Sequence, residues 1–537
     1  MVAGLTLAAI AIPEQLATAR LVGLPPVSGF LAFAAGSFAF AAFGANRIMS
    51  VGADSTIAPI MASVLALIAT SGDPHYAEMS AVLAFLVGLW LLAAGALGAG
   101  WLADLLSIPV ATGFLAGISV HIIAGQIPDL LGLSAVSGDF PSRVSNIWRQ
   151  LPDANPYAPA VGLSVLFGTL VADRCDKRIP AALVGLLVSG LAVWIFALQR
   201  HGLAVLGALP VAAPHLSFAL PTDSELARLA PNAIIVALVC MVQTAAVMRS
   251  FATAADEQEN LNRDFAAIGI GSIIAAAIGA FAVDSSPPRT AVVEQSGGHS
   301  QLASLVAVGV IAGVALLAAG AFAFLPVAAL SGVLIFIGLR IFRLSDMLEI
   351  YRRGGYEILL VAASAALVVL LPIHTGVTMS ILLSLAHSLY VIARPDCAVL
   401  SRVPGTTVWW KEPEGETGET EPGILVFAPA APILFTNAAY IRRRLEASIA
   451  QMAEPCRLVV IEASGVIDID FTGSQALQDL IGDLRRRDIQ VALARLESVR
   501  AQRAAEQTGL SAVIGAAHIF HSVEDAIRGE RQATERA

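Results

Sequence analysis

The chain has 537 residues, 57% of them hydrophobic and only 14% charged, with a formal net charge of −9. A soluble protein carries about 25% charged residues, so this composition, with a mean hydropathy of +0.76, excludes an ordinary soluble domain. The acidic balance gives no reason to expect a nucleic-acid partner.

Apolar runs such as 81–103 and 302–325 reach the roughly 20 residues that cross a bilayer. The first run starts at Val2, lacks a basic leader and contains Pro13 and Glu14. It reads as a first span and not as a cleaved signal peptide. Further apolar segments fall near 28–44, 54–70, 80–100, 108–128, 157–172, 180–198, 231–251, 265–283, 287–297, 301–321, 323–342, 357–372 and 375–393, about fourteen in all. Two of them, 54–70 and 287–297, are short and impure for a full span. Basic clusters lie at 173–178 and 339–355. An even span count puts both clusters and both chain ends on one side, which the positive-inside rule makes cytoplasmic. The expectation is a multi-pass protein of the cytoplasmic (inner) membrane.

After Arg394 the pattern changes. Residues 396–423 read as a linker, whose part "KEPEGETGETEPG" (411–423) is an acidic, flexible insert. From 424 to 530 a soluble α/β pattern follows: "GILVFAPAAPILF" as two short strands, "NAAYIRRRLEASIAQMA" as an amphipathic helix, "RLVVIEAS" as a buried strand, "GSQALQDLIGDLRRR" as a helix, "IQVALA" as a strand and "SVRAQRAAEQTG" as a third helix. Such alternation predicts a small sheet with helices packed on it.

The two impure segments echo each other. "ADSTIAP" (53–59) and "VDSSPPR" (283–289) lie 230 residues apart. The same offset, within one residue, lays "AIPEQLATA" on "CMVQTAAVM", so that Glu14 falls opposite Gln243. This predicts an internal repeat of seven spans, and an odd number inverts the second copy in the membrane. Interrupted helices at matching places in inverted repeats are the pattern of secondary transporters, which bind substrate near the bilayer midplane.

The chemistry fits an anion. A half-helix starting at Pro287 offers its free N–H groups and the positive end of its dipole, and prolines suit a helix start. Ser286, Thr290 and Arg289 would join Pro287 in holding the ligand. Ser55 and Thr56 would open the facing half-helix, with Gln243 completing the pocket. Glu14, ionisable in mid-span, is a candidate proton carrier. The alternative reading makes 284–289 an ordinary turn outside the bilayer, closed by an Asp–Arg pair. His121, alone in an apolar helix, reads as a hydrogen-bonded packing residue. A transporter of uncharged nucleobases is disfavoured by Arg289. No HExxH, GxSxG or P-loop is present, and the four cysteines (Cys175, Cys240, Cys397, Cys456) lack CxxC or CxxH spacing. No enzyme activity, metal or cofactor is therefore expected.

Three stretches carry a resemblance: "AIPEQLATARLVGLPPVSGF", "GANRIMSVGADST" and "PPRTAVVEQSGGHSQLAS". They resemble the sulfate permease (SulP) family of anion transporters. The tail, with "LFTNAAYIRRRL" and "VIDIDFTGSQAL", resembles a STAS domain. The resemblance implies fourteen spans as 7+7 inverted repeats in residues 1–395, with a core domain (spans 1–4 and 8–11) sliding against a gate domain (5–7 and 12–14) as an elevator. It also implies a homodimer and a cytoplasmic STAS partner.

Position 14 is commonly Gln in the family's motif but is Glu here, and a sodium-using branch carries an acidic residue where this chain has Gln243. Protons, more than sodium, are thus the expected coupling ion, acting through Glu14. Thr472 matches the position phosphorylated in STAS relatives, with Phe471 replacing a small polar neighbour, and reads as a helix N-cap. The expected function is secondary transport of a small anion, of the sulfate, bicarbonate, chloride or dicarboxylate class. The alternatives are an uncoupled exchanger or channel-like conductor, and an anion-sensing anchor for STAS signalling.

Overall fold

Each apolar segment of the sequence contains a helix. The structure, a computed structural model, describes all residues except 134–139, 176–179, 208–219, 252–259, 318–323, 354, 412–417 and 537. Lys177 and Arg178 of the first basic cluster and residues 412–417 of the acidic insert therefore lie outside the described residues. The chain divides into two units, Met1–Leu385 and Ala386–Ala537.

In the first unit, α1 (Val2–Val22), α2 (Val27–Phe43), α3 (Ala58–Leu65) and α4 (Pro74–Ala96) are followed by α5 (Ile108–Leu131), α6 (Phe140–Gln150), α7 (Tyr157–Cys175) and α8 (Ala181–Phe196). Then come α9 (Asp223–Ser250), α10 (Leu261–Ala277), α11 (Pro287–Gln295), α12 (Leu302–Leu317), α13 (Val327–Ile341), α14 (Leu344–Arg353), α15 (Glu357–Leu370) and α16 (Ile373–Ala393), whose last turns enter the second unit. Among the described residues, seven helical stretches are long and apolar enough to cross a bilayer, and four apolar helices are shorter. Consecutive side chains of α8 from Trp194 to Phe196 are exposed, as expected of a helix that meets lipid tails instead of a protein core.

The helices sort by what they touch. α10 packs on α4 and α2, and α1 on α12, α11, α3 and α2, while α5 packs on α15 and α13, and α13 on α7. Close crossings rest on glycine. A Cβ added at Gly88 would come within 2.6 Å of Gly269 O, and one at Gly269 within 2.7 Å of Gly88 O.

Two features escape a hydropathy reading. α6 and α14 are amphipathic helices between apolar ones. α9 begins eight residues before the apolar run at 231, because Thr222 and Glu225 form a capping box: Thr222 N donates to Glu225 Oε2 at 2.8 Å while Glu225 N donates to Thr222 Oγ1.

The second unit is built on a six-stranded sheet in the order β4-β3-β5-β6-β7-β8. β3 (Cys397–Arg402) and β4 (Trp409–Trp410) come from the stretch read as linker, and β3 pairs antiparallel with β5 (Ile424–Pro429). β6 (Leu458–Glu462), β7 (Gln490–Ala494) and β8 (Ile519–Phe520) continue it in parallel. "GILVFAPAAPILF" gives one strand and not two. Pro429 and Pro432 each lack a ladder donor, and Ile433 makes only an isolated bridge to Ile469.

Side chains alternate across the sheet. Leu425, Phe427, Val459, Ile461 and Val491 meet α17 (Ala438–Ala450), α18 (Phe471–Arg486), α19 (Val499–Gln507) and α20 (Leu510–Ile514). Val426, Leu458, Val460 and Ala492 meet α21 (Val523–Arg536) on the other face. Thr472 is not the N-cap of α18. Asp470 is, with Oδ1 accepting from Gly473 N at 2.6 Å, because only the residue before the first turn can turn its side chain back onto an N–H three residues on.

Candidate substrate site

The two echoing motifs meet. β1 (Val51–Gly52) pairs antiparallel with β2 (Asp284–Ser285), with Val51 opposite Ser285 and Gly52 opposite Asp284. α3 starts six residues after β1, and α11 starts directly after Ser286. Both strands lie on helices that admit them closely. Ser37 Oγ of α2 donates to Val51 O at 3.2 Å, and Ser272 Oγ of α10 accepts from Val283 N at 3.1 Å. A Cβ on Gly36 would crowd Val51 O at 3.1 Å.

Backbone groups of the crossover are satisfied within it, as buried backbone must be, while the side-chain atoms Ser50 Oγ, Asp284 Oδ2 and Ser286 Oγ have no hydrogen-bond partner among the described residues. Thr56 N donates to Asp54 Oδ1 at 2.8 Å, and Ser285 N to Asp284 Oδ1 at 2.7 Å. Ser286 N donates to Ser50 O at 3.0 Å. Thr290 Oγ1 donates to Ser286 O at 2.8 Å and accepts from Ser50 N at 3.1 Å. Two side chains from the flanking long helices clamp the crossover. Gln15 of α1 holds Ala53 by both ends of its amide, Nε2 to Ala53 O and Oε1 from Ala53 N, each at 3.0 Å. Gln243 of α9 donates from Nε2 to Ser285 O at 2.7 Å, and its neighbour Thr244 lies 3.2 Å from Ser285 Oγ.

A cavity of about 360 Å3 opens where the two short helices begin. Glu14, Ser55, Thr56, Gln243, Ser286 and Pro287, all singled out from the sequence, line it together. Arg289 and Thr290 are not among the lining residues. Thr290 is committed to the crossover, as above. Arg289 is fully buried, with Nη1 donating to Glu14 Oε1 at 2.7 Å and to Ala53 O at 2.8 Å, while its guanidinium stands 5.8 Å from the Phe33 ring centre. Its Nε and Nη2 have no hydrogen-bond partner among the described residues. The guanidinium charge is thus set behind Glu14 instead of facing the cavity.

Asp54, which the sequence places with Ser55 and Thr56 at the start of the facing half-helix, also lines the cavity, whereas sequence reasoning passed over Gln15 and the basic pair Arg340 and Arg343, which line it from the end of α13 and beyond. Arg340 lies 3.9 Å from Asp173, and Arg343 3.7 Å from Asp346. The basic cluster at 339–355 was read for sidedness alone, and only the fold puts its first members at the cavity. α11 also differs from an idealised anion-binding helix end. Pro287 and Pro288 carry no N–H, so the helix contributes its dipole more than its donors. His121 donates from Nε2 to Val368 O at 2.8 Å, as a packing histidine should. Among the described residues no group of His, Cys, Asp and Glu could hold a metal ion.

Comparison with known proteins follows the division into two units. Residues 1–364 match the sulfate permease family, and residues 418–526 match the STAS domain. A probable sulfate transporter of Mycobacterium tuberculosis is 32% identical, over 99% of this chain and 95% of its own length. Sulfate transporter 4.1, chloroplastic, of Arabidopsis thaliana is 25% identical, over 98% of this chain and 79% of its own. Among solved structures, the murine Slc26a9 anion transporter in its inward-facing state covers 99% of this chain, and 90% of its own is covered, at 18% identity and a TM-score of 0.86. The transmembrane domain of the cyanobacterial bicarbonate transporter BicA covers 72% of this chain, and 95% of its own is covered, at 20% identity and a TM-score of 0.63.

Proposed function

We propose that this chain, which belongs to the sulfate permease family, is a secondary transporter that carries a small anion in symport with protons. The observation that carries this reading is the placement of Glu14 on the cavity wall with Arg289 directly behind it. While Glu14 is ionised it cancels the Arg289 charge, and the helix dipoles alone draw an anion. Once Glu14 takes a proton, the guanidinium charge is uncompensated in a low-dielectric site, where it acts strongly. Proton and anion therefore favour each other's binding, and by linkage the coupling is reciprocal. A ligand pair that binds cooperatively and is released together is a symport stoichiometry.

The anion would rest against Ser55, Thr56, Gln243, Ser286 and Pro287, with Arg289 and Thr290 acting from behind the crossover. The 230-residue echo, the paired β1 and β2 and the two short helices support a 7+7 inverted repeat with elevator movement of core against gate. In this reading the membrane is the cytoplasmic (inner) one with both termini in the cytoplasm, and homodimerisation and a cytoplasmic STAS partner complete the proposal. The substrate class is sulfate, bicarbonate, chloride or a dicarboxylate, with the family name and the relatives' names favouring sulfate.

One observation favours a second reading. A Glu14–Arg289 pair that stays ionised throughout the cycle is a neutral structural element and would leave an uncoupled exchanger. Labelled sulfate uptake into liposomes at two external pH values separates the two. Symport predicts accumulation driven by an inward proton gradient, lost in Glu14→Gln while sulfate binding persists. Uptake that ignores the gradient and demands an internal counter-anion establishes the exchanger.

A further inference from the structure

A second buried carboxylate stands behind the cavity wall. Asp284 of β2 is fully buried and makes no ion pair among the described residues. Its two oxygens have unlike surroundings. Oδ1 accepts from Ser285 N at 2.7 Å and from Thr244 Oγ1 at 3.3 Å, whereas Oδ2 has no hydrogen-bond partner among the described residues. That asymmetry suits a carboxylic acid, whose carbonyl oxygen accepts while the other oxygen carries the proton. Asp54, the echo of Asp284 in the first motif, lies within electrostatic reach of both Asp284 and Glu14. The strand register brings them together, since Asp284 stands opposite Gly52, two residues before Asp54. Asp54 is itself buried but lines the cavity, and its Oδ1 accepts from Thr56 N.

Three carboxylates therefore gather at the crossover around one buried guanidinium, and that of Arg289 is engaged by Glu14 and Ala53 O. Arg340 reaches Glu14 from the cavity side and is half exposed beside Asp173. The elements around Asp284 bring no cation to it. From α9 the buried Cys240 thiol faces it, and α2 has no titratable residue. Arg263 and Asp264 of α10 lie in its first turn, where they bind Phe43 O and Ala45 N. Two carboxylates so placed in a medium of low dielectric do not both ionise.

We propose that Asp284 and Asp54 form a second proton site, which holds one proton and moves it with the anion. The proposal rests on the transport reading above. The proton enters from cavity water through Asp54, the carboxylate on the wall, and rests on Asp284 behind it. It returns through Asp54 to water once the anion has left. With the proton in place the pair carries one negative charge instead of two, so an anion at Ser55 and Thr56 meets less repulsion. Together with Glu14, the pair neutralises a dianion such as sulfate, and by linkage the anion in turn tightens the hold on both protons.

The test uses the full-length protein. At neutral pH the infrared spectrum of the parent is expected to contain a carboxylic C=O band that is lost in Asp284→Asn. Asparagine matches the protonated acid in size and charge, so this variant should fold, and Asp54→Asn, which blocks the entry, is the second. In phosphatidylcholine liposomes, with a pH electrode and labelled sulfate, the parent should take up about two protons per sulfate. Its uptake should ignore an imposed membrane potential. Either variant is expected to fall to about one proton per sulfate and to become voltage-dependent, because a net negative charge then moves. A band unchanged in Asp284→Asn, or a stoichiometry and voltage response unchanged in both variants, overturns the proposal while leaving transport standing. Loss of the band in a protein that moves no anion leaves the buried proton standing and overturns the transport reading. Uptake that requires sodium in the parent but not in Asp284→Asn assigns these oxygens to a metal cation and overturns the proposal.

Discussion

Arg289 Nη1 donates to Glu14 Oε1 at 2.7 Å, joining residues 275 positions apart, with side-chain exposures of 0% and 12%. The same nitrogen donates to Ala53 O at 2.8 Å. One guanidinium therefore ties the middle of α1 to the crossover from which α3 emerges.

Breaking such a pair is expected to be asymmetric. Removing one partner of a buried ion pair costs about 3–5 kcal/mol because it strands the other charge. Arg289→Gln should lower the thermal unfolding temperature of the purified protein sharply, and Glu14→Gln less, since an amide still accepts from Nη1. The double variant should recover most of the Arg289→Gln loss. A double variant as unstable as the sum of the two singles would show that the residues do not act on each other.

Gln15 is the positioning residue of the crossover, holding Ala53 by two hydrogen bonds. Gln15→Leu leaves a buried backbone N–H and C=O unsatisfied, at about 1–3 kcal/mol. The expected outcome is a lower maximal rate of anion uptake with a lowered melting temperature. Normal uptake kinetics in a stably folded Gln15→Leu protein would remove the clamp from the account.

At the α4–α10 crossing, Gly88 and Gly269 face each other's carbonyls. Gly88→Ala or Gly269→Ala forces the backbones apart, an overpacking penalty of about 1–3 kcal/mol. Gly309→Ala and Gly313→Ala, where an added Cβ meets nothing within 4 Å, serve as controls and should melt with the parent protein. Equal melting of all four variants would contradict the crossing described here.

In the STAS unit the cap belongs to Asp470, and Thr472 is exposed. Loss of an N-cap costs about 0.5–2 kcal/mol. Amide hydrogen exchange in the full chain should therefore speed up across the first turns of α18 in Asp470→Ala and stay as it was in Thr472→Ala. The reverse result would return the cap to Thr472.

Much of this was legible in the sequence because the signals are local. Proline pairs, a repeated Asp-Ser element and runs of apolar residues state where helices begin and which are too short to span. The capping box at Thr222 and Glu225 was equally local, a Thr-Asp-Ser-Glu run before an apolar segment, and a reading by hydropathy passes over it because its residues are polar. β3 and β4 were less visible. A short antiparallel pair in an apparently irregular stretch becomes a strand only when β5 offers it a ladder.

The sequence by itself determined the membrane-embedded class, the places of the apolar helices, the family and the residues Glu14, Ser55, Thr56, Gln243, Ser286 and Pro287 as candidates for one site. Only the tertiary structure decided what Arg289 does. Its charge was evident from the sequence, but its direction depends on a carboxylate 275 residues away and a carbonyl 236 residues away. The same holds for Gln15 and Arg340. Local pattern fixes where a side chain is attached, whereas long-range packing of separate helices fixes which charges stand within reach of one another.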